Sequence, residues 1–323
     1  MKIKINFWMP LALFFGVLFG ALAGYQVLGE SRDYWNYVAF FEFVRDAHKF
    51  TDIHYRFEPA FTLLVFFLAK SISSNEIIYC LIAGAAVFVK YAAIFRGKYN
   101  WFLIFVFTFY FATRYFILFE VTTLRAACAF SLIFFVFFKR ESDDYKINEI
   151  VFLALAVLFH YSAIAIVPIY FIKKITRKKI FFLALVAFFI ILYGKLIILN
   201  QLSDLLAVLS TDEYFNKATF IPIPFAIDIL FLVVIFYFWR LNDLAMRWCA
   251  LGIAISISIH FAMIDSSMIA GRFRELFSVF ILVYVVRVML YKKGALKYIT
   301  IAYVLTTGLM HLYLMTIYDP LLS

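Results

Sequence analysis

The sequence predicts an all-α, polytopic transmembrane helical bundle, and three observations carry that expectation. Of its 323 residues, 66% are hydrophobic and 15% charged, against roughly half and a quarter in a soluble domain. The apolar residues come in runs of membrane length, since about 20 residues of helix cross a hydrocarbon core. Lysines and arginines gather between the runs, as in cytoplasmic loops. The net charge of +10 is therefore no footprint of nucleic acid. The polar loops are too short for a second soluble domain, so residues 1–323 are expected to form a single integral membrane domain.

Phe7 to Leu28 is the first run. Lys2 and Lys4 precede it, and Ala21-Leu22-Ala23 resembles a signal-peptidase site. The run is long enough to span, and an uncleaved helix with a cytoplasmic start is expected. An external loop follows at about residues 29–56, rich in aromatics and charge. Tyr34, Tyr37, Phe40 and Phe41 recur there at helical spacing, which predicts an amphipathic surface helix. Phe57 to Ser73 opens with Glu58-Pro59, and proline suits a first helical turn. Glu76 to Phe95, Arg96-Gly97-Lys98, Trp101 to Phe119 and Thr122 to Phe138 come next. A charged loop from Lys139 to Glu149 precedes Ile150 to Ile172. The basic run from Lys173 to Lys179 is the strongest cytoplasmic signal. Ile180 to Leu199 then leads to a second external loop at about residues 200–224, with Asp204, Asp212, Glu213 and Lys217. Phe225 to Trp239, Trp248 to Ile264, Glu275 to Leu290 and Tyr298 to Tyr318 bring the total to about ten to eleven spans.

Two topologies compete. If every run crosses, Arg125 is cytoplasmic and Lys139 to Lys146 is external. If Phe57 to Ser73 and Ile150 to Ile172 are broken or re-entrant, Lys139-Arg140 and the basic run after Ile172 are both cytoplasmic. Arg125 and His160 then face outward. The second topology obeys the positive-inside rule better. It also accounts for the interruption at His160-Tyr161-Ser162, since broken helices at membrane depth are tolerated where they line a cavity.

Several chemistries are disfavoured. The sequence has no glycine-rich phosphate loop ending in Lys-Ser or Lys-Thr, no His-Glu-x-x-His and no Gly-x-Ser-x-Gly. Cys80, Cys128 and Cys249 fall inside apolar runs without a Cys-x-x-Cys neighbour, and read as small buried hydrophobes.

Isolated polar groups at span ends remain. Asp33 is either a solvated loop acid or part of a site. Glu58 sits where a helix dipole favours an acid, which alone explains it, unless it also serves chemistry. Arg114, Glu120 and Arg125 are expected around one external turn, with Glu120 and Arg125 able to pair. Arg125 opens an apolar helix, and the cost of charge at that depth marks it as functional. His160 is an acid–base candidate near neutral pH, or a helix–helix hydrogen-bonding residue. Asp265, Arg272 and Arg274 form a third cluster, either an interfacial anchor or a site. Arginine suits bidentate phosphate recognition. An aromatic groove with such arginines fits a lipid-linked diphosphate, whose tail is apolar and whose head is anionic. Sugar transfer from that lipid needs the leaving diphosphate stabilised and a base for the acceptor hydroxyl.

At these residues the chain resembles the EpsG family, the Wzy-like polymerases of bacterial exopolysaccharide and O-antigen. Asp33-Tyr34 with Tyr37 looks like the family's Asp-Tyr-x-x-Tyr loop, and Glu58-Pro59-Ala60-Phe61 like its next element. Leu124-Arg125-Ala126 with Ala129 resembles its Arg-Gln-x-x-Ala helix start, although Ala126 replaces the glutamine. Ser31 likewise stands where a glycine often precedes the Asp-Tyr pair. Leu155-Ala156 with Phe159-His160-Tyr161-Ser162-Ala163 resembles the Ala-x-x-Phe-His-x-Ser-Ala signature, the most specific piece. Arg272-Phe273-Arg274 looks like the arginine near the last helices.

The resemblance implies a multi-pass polymerase of polysaccharide biosynthesis, with a GT-C-like architecture as one option. It would join undecaprenyl-diphosphate-linked repeat units, of exopolysaccharide or lipopolysaccharide O-antigen, at the outer face of the bacterial inner membrane. Arg125, Arg272, Arg274 and Arg114, with Tyr34 and Tyr37, would bind substrate. His160, Glu58 or Asp33 would activate the acceptor. No cofactor, nucleotide or metal is implied. The implied partners are membrane lipid, a chain-length regulator and a flippase. Two other classes stay open. A lipid-linked sugar transporter or flippase would use the same groove without making a bond, although the chain has no internal repeat of the kind many transporters carry. A membrane acyltransferase would use His160 as base, and would need a cytoplasmic acyl-donor site that is not apparent.

Overall fold

The computed structural model describes residues 8–54, 57–95, 100–201, 222–264, 267–318 and 321–322. Lys2, Lys4, Arg56, Arg96 to Lys98, Asp204, Asp212, Glu213, Lys217 and Asp265 lie outside them. The described residues form helices and no strand. In order these are α1 (Trp8–Gly24), α2 (Tyr34–Asp46), α3 (Pro59–Ser71), α4 (Asn75–Phe95) and α5 (Trp101–Tyr110). The last continues as a π-helix, Phe111–Thr122, into α6 (Leu124–Lys139), α7 (Ile147–Phe159) and α8 (Val167–Tyr170). Then come α9 (Arg177–Gln201), α10 (Ile223–Tyr237), α11 (Leu244–Ala262), α12 (Ser267–Phe277), α13 (Val279–Tyr291) and α14 (Ala295–Tyr313). Among the described residues, four stretches are long and apolar enough to cross a membrane: Asn75–Phe95, Trp101–Thr122, Leu244–Ala262 and Ala295–Tyr318. With the shorter apolar helices they make up the polytopic all-α protein that composition predicts.

The chain divides into two compact units. One holds residues up to 139, 146–164 and 297 onward, and the other holds 140–145 and 165–296. In the first unit α1 and α4 pack backbone to backbone. Gly16, Gly20 and Gly24 recur one helical turn apart on α1, and a Cβ built on Gly20 would lie 2.6 Å from the Cys80 carbonyl and 2.9 Å from the Gly84 Cα. Small residues at this spacing let membrane helices approach closely.

The aromatic face of α2 is as the sequence predicts, but it docks on protein. Phe40 lies 4.6 Å from Phe57, Tyr37 lies 5.8 Å from Phe61, and Tyr37 lies 5.9 Å from Tyr79, between ring centroids. Edge-on ring pairs of this kind add to the burial that fixes α2.

The π-helix redirects the charges near it. Its wider turn shows in the hydroxyls of Thr122 and Thr123, which donate to carbonyls five residues back, Ile117 and Leu118, at 2.8 Å each. Glu120 faces the core of the unit, where it pairs with Lys90 of α4, both side chains being fully buried. The Lys90 ammonium also donates to the Ser131 hydroxyl of α6 at 2.7 Å and lies 5.5 Å from the Phe111 and Phe130 ring centroids. The Glu120–Arg125 pair that the sequence allows is therefore not formed: Glu120 is taken by Lys90.

Helices α3 and α7 are each 13 residues long, about 20 Å at 1.5 Å per residue, against a hydrocarbon core of about 30 Å. These are the two segments that the charge pattern marks as broken or re-entrant. Helix α7 stops at Phe159, and His160 is extended at φ −156°, ψ 108°. A 3-10 turn, Tyr161–Ala165, follows.

In the second unit, the Trp248 indole of α11 donates to the Ile172 carbonyl at 2.9 Å, and the Tyr284 hydroxyl of α13 donates to Asn242 at 2.9 Å.

Two outcomes follow for stability. Gly20→Val should push α1 off α4 and destabilise the fold by about 1–3 kcal/mol, the usual cost of overpacking, read as a lower unfolding temperature in detergent. Lys90→Met should cost about 3–5 kcal/mol by stranding a buried carboxylate, whereas Lys90→Met with Glu120→Leu should recover most of it. Thermal unfolding of the two variants beside the parent checks the second expectation.

Candidate functional site

Glu58 ends the extended segment before α3, with Pro59 supplying the first helical residue. An acid in this position ordinarily caps the helix by accepting from its first amides. Glu58 makes no such side-chain cap, because its carboxylate is engaged elsewhere. Its Oε2 accepts from Arg125 Nη1 at 2.5 Å, and its Oε1 lies 3.2 Å from His160 Nδ1. The Tyr161 amide points at the same Oε1 from 3.4 Å. The Glu58 side chain is 5% exposed, while those of Arg125 and His160 are 26% and 25% exposed. One buried acid thus holds two basic groups that solvent or a ligand can reach.

Local structure explains each position. The π-helix ends at Thr122 and α6 starts at Leu124, so Arg125 falls in its first turn. A helix N-terminus disfavours a cation, and Glu58 offsets that cost. The guanidinium also lies 4.3 Å from the Phe57 ring centroid, and its charge acts on the Tyr37 hydroxyl. Burial pushes that hydroxyl up to about 12 even with Arg125 beside it, so Tyr37 stays neutral.

His160 is placed by the end of α7. Its amide still donates to the Ala156 carbonyl at 2.9 Å, while its own carbonyl accepts from Ala163 at 2.9 Å. The ring is thereby held at the helix break. A carboxylate only accepts, so in the neutral ring Nδ1 carries the proton and Nε2 presents its lone pair. Among the described residues no hydrogen bond engages Nε2.

The other sequence candidates are placed differently. Tyr34 is buried one turn before Tyr37 and packs on Tyr79 at 5.6 Å. Asp33 is half-buried at the start of α2, where the Asn36 amide approaches it at 3.5 Å, and it does not join the Glu58 cluster. Arg114 is buried within the π-helix and donates to the hydroxyls of Tyr110 at 2.7 Å and Tyr303 at 2.9 Å. Arg272 is exposed and Arg274 half-buried on α12, in the second unit. In that unit His260, which the sequence reading passes over, packs 3.9 Å from the Phe225 ring. Phe57 was also passed over, and only its place next to Glu58 in sequence pointed to it. Among the described residues no three His, Cys, Asp or Glu side chains gather as metal ligands do.

Chemically, the cluster offers a fixed cation at a helix N-terminus, a geometry suited to an anion. Beside it stands an imidazole nitrogen able to take a proton. The Glu58–Arg125 contact should show as coupling. Unfolding of Glu58→Gln, Arg125→Gln and the double variant should give an interaction energy of about 1–3 kcal/mol, and strict additivity would remove the shared-carboxylate account.

Comparison with known proteins gives one result. A family model described as the EpsG family matches residues 9–322. No curated protein matches the chain, and no solved structure does.

Proposed function

The chain belongs to the EpsG family, and on that premise we propose that it is a membrane glycosyltransferase, joining lipid-diphosphate-linked oligosaccharide repeat units into a polysaccharide. The reaction has two lipid-linked partners. A hydroxyl of the acceptor repeat attacks the anomeric carbon at the lipid-linked end of the growing chain. The glycosidic bond forms as the bond from that carbon to the diphosphate breaks. The hydroxyl proton passes to His160 Nε2, and the lipid diphosphate leaves with the bonding electrons.

Each member of the cluster has a part in this. Arg125, in the first turn of α6, meets the charge that develops on the leaving diphosphate. His160 is the general base. Glu58 is too buried to reach substrate, and it acts as a positioning residue. It holds the His160 tautomer and balances the charge that the ring gains, as the acid of a Ser-His-Asp triad does. Tyr37 and Phe57 keep the Arg125 fork in place. Arg272 and Arg274 are proposed as anion contacts of the second unit, and Arg114 as scaffold of the first. The observation that carries this reading is the sharing of one buried carboxylate between a reachable guanidinium and a reachable imidazole.

Purified protein reconstituted with its lipid-linked repeat unit should yield a ladder of chain lengths without added nucleotide sugar. Arg125→Ala should abolish the ladder while the protein stays folded in the membrane. His160→Ala should slow extension by about 10²–10⁴-fold, the usual share of a general base. A normal ladder from Arg125→Ala would sink the assignment. A single unextended band from folded parent protein would turn the reading toward transport of the lipid-linked sugar.

A further inference from the structure

Helix α2, in the first unit, buries one face and exposes the other. Tyr34, Tyr37, Phe40 and Phe41 take the buried face. The exposed face runs through Trp35, Ala39 and Phe43, and residues four apart line up along a helix. Trp35 is 62% exposed and Phe43 42%. The two positions are separated by about 12 Å at 1.5 Å per residue, with the Ala39 methyl between them. The stripe is thus low in the middle, with an aromatic side chain at each end.

The residues beside it are polar. Glu42 and Asp46 are exposed along one edge, and Asn36 along the other. Asn75 of α4 donates to Glu42 Oε1 at 3.1 Å and itself accepts from Arg45 at 2.6 Å. Glu42 is thereby held in place before a ligand arrives, which lowers the cost of binding. The Trp35 indole is braced by the Tyr34 ring, 5.5 Å away and inclined at 73°.

Of the occupants that cover such faces, two fit poorly. A bilayer would have to bury Asp46, which lies two turns beyond Ala39 on the same line, and carboxylates are costly at that depth. A protein interface of standard size takes about 800 Å² from each partner. A helix of 13 residues offers a face of only about 20 by 10 Å. A saccharide suits both chemistries of the face. Its C–H surfaces pack on aromatic rings, and its hydroxyls donate to carboxylates.

We propose that the exposed face of α2 holds the oligosaccharide of the substrate, its sugar rings packed on Trp35 and Phe43 and its hydroxyls donating to Glu42 and Asp46. The inference rests on the reading of the substrate as a lipid-linked glycan, and it adds where the glycan lies. Tyr37, on the buried face of the same helix, is within reach of the Arg125 charge. One helix thus meets the sugar on one side and backs the diphosphate site on the other.

The test is saturation-transfer NMR on the full chain in nanodiscs, offered the repeat oligosaccharide released from its lipid by mild acid. Irradiation of aromatic protons should transfer saturation to the C–H protons of the sugar. Trp35→Ala should raise the Kd of the oligosaccharide by about threefold to tenfold, the share of one ring contact. Glu42→Gln should raise it by about tenfold, the loss expected of a charged hydrogen bond. Both side chains are exposed, so both variants should fold. In the extension assay Trp35→Ala should raise KM for the lipid-linked repeat more than it lowers kcat, the mark of lost ground-state binding. A Kd unchanged in both variants would overturn the proposal, as would the absence of transfer from folded parent protein. Quenching of Trp35 emission by brominated phospholipid, read as the difference between parent and Trp35→Phe, would overturn it in favour of a lipid-covered face. A parent dimer that Trp35→Ala dissociates would overturn it in favour of a second copy. Sugar binding without chain extension would support it and fault the polymerase reading instead.

Discussion

A single carboxylate, on Glu58, is shared between the guanidinium of Arg125 and the imidazole of His160. Much of the first unit follows from the need to bring these three together. They come from three separate stretches of chain, and each arrives through a departure from regular helix. Glu58 precedes a proline, Arg125 follows a π-helix, and His160 occupies a break. Regular helices satisfy their own backbone, so in an apolar bundle such departures need additional hydrogen-bond partners. Here the supports are visible. The Tyr79 hydroxyl donates to the Val121 carbonyl at 2.6 Å. Threonine hydroxyls take the carbonyls of Ile117 and Leu118, and the Tyr161 amide turns toward Glu58.

The first unit also holds a fully buried ion pair, Lys90 with Glu120. Buried pairs of this kind gain little net stability over apolar packing, but they penalise every arrangement that separates them. That penalty bears on the register of the π-helix, and so on where α6 begins. The glycine face between α1 and α4 serves the same end by a different force. Close backbone contact fixes α4, which carries Lys90. The two devices together give the reachable groups of the site a rigid backing, as a preorganised charge site requires.

Composition and periodicity made the membrane fold legible, because apolar runs and basic loops respond to the bilayer and need no knowledge of neighbours. The helix break at His160 was legible too, since His-Tyr-Ser interrupts an otherwise apolar run. The amphipathic pattern of α2 was read correctly as a helix with one aromatic face. What covers that face was not legible, because an aromatic stripe suits lipid and protein equally. The Gly16-Gly20-Gly24 spacing was present in the sequence and was passed over, although small residues four apart are a packing signal.

The pairing of charges is where local reading gave out. Glu120 and Arg125 are five residues apart and opposite in sign, so sequence proximity joins them. In the fold they part: Glu120 meets Lys90 and Arg125 meets Glu58. Glu58 and His160, which the sequence offered as alternatives for one task, turn out to be hydrogen-bonded partners with different exposure. The sequence by itself determined that this is a helical membrane protein with a handful of costly polar groups, because the price of charge in an apolar medium depends on residue type alone. Only the tertiary structure decided which of those groups share a site. That depends on which helices are neighbours and on their rotation about their own axes, and a single π-turn is enough to change it.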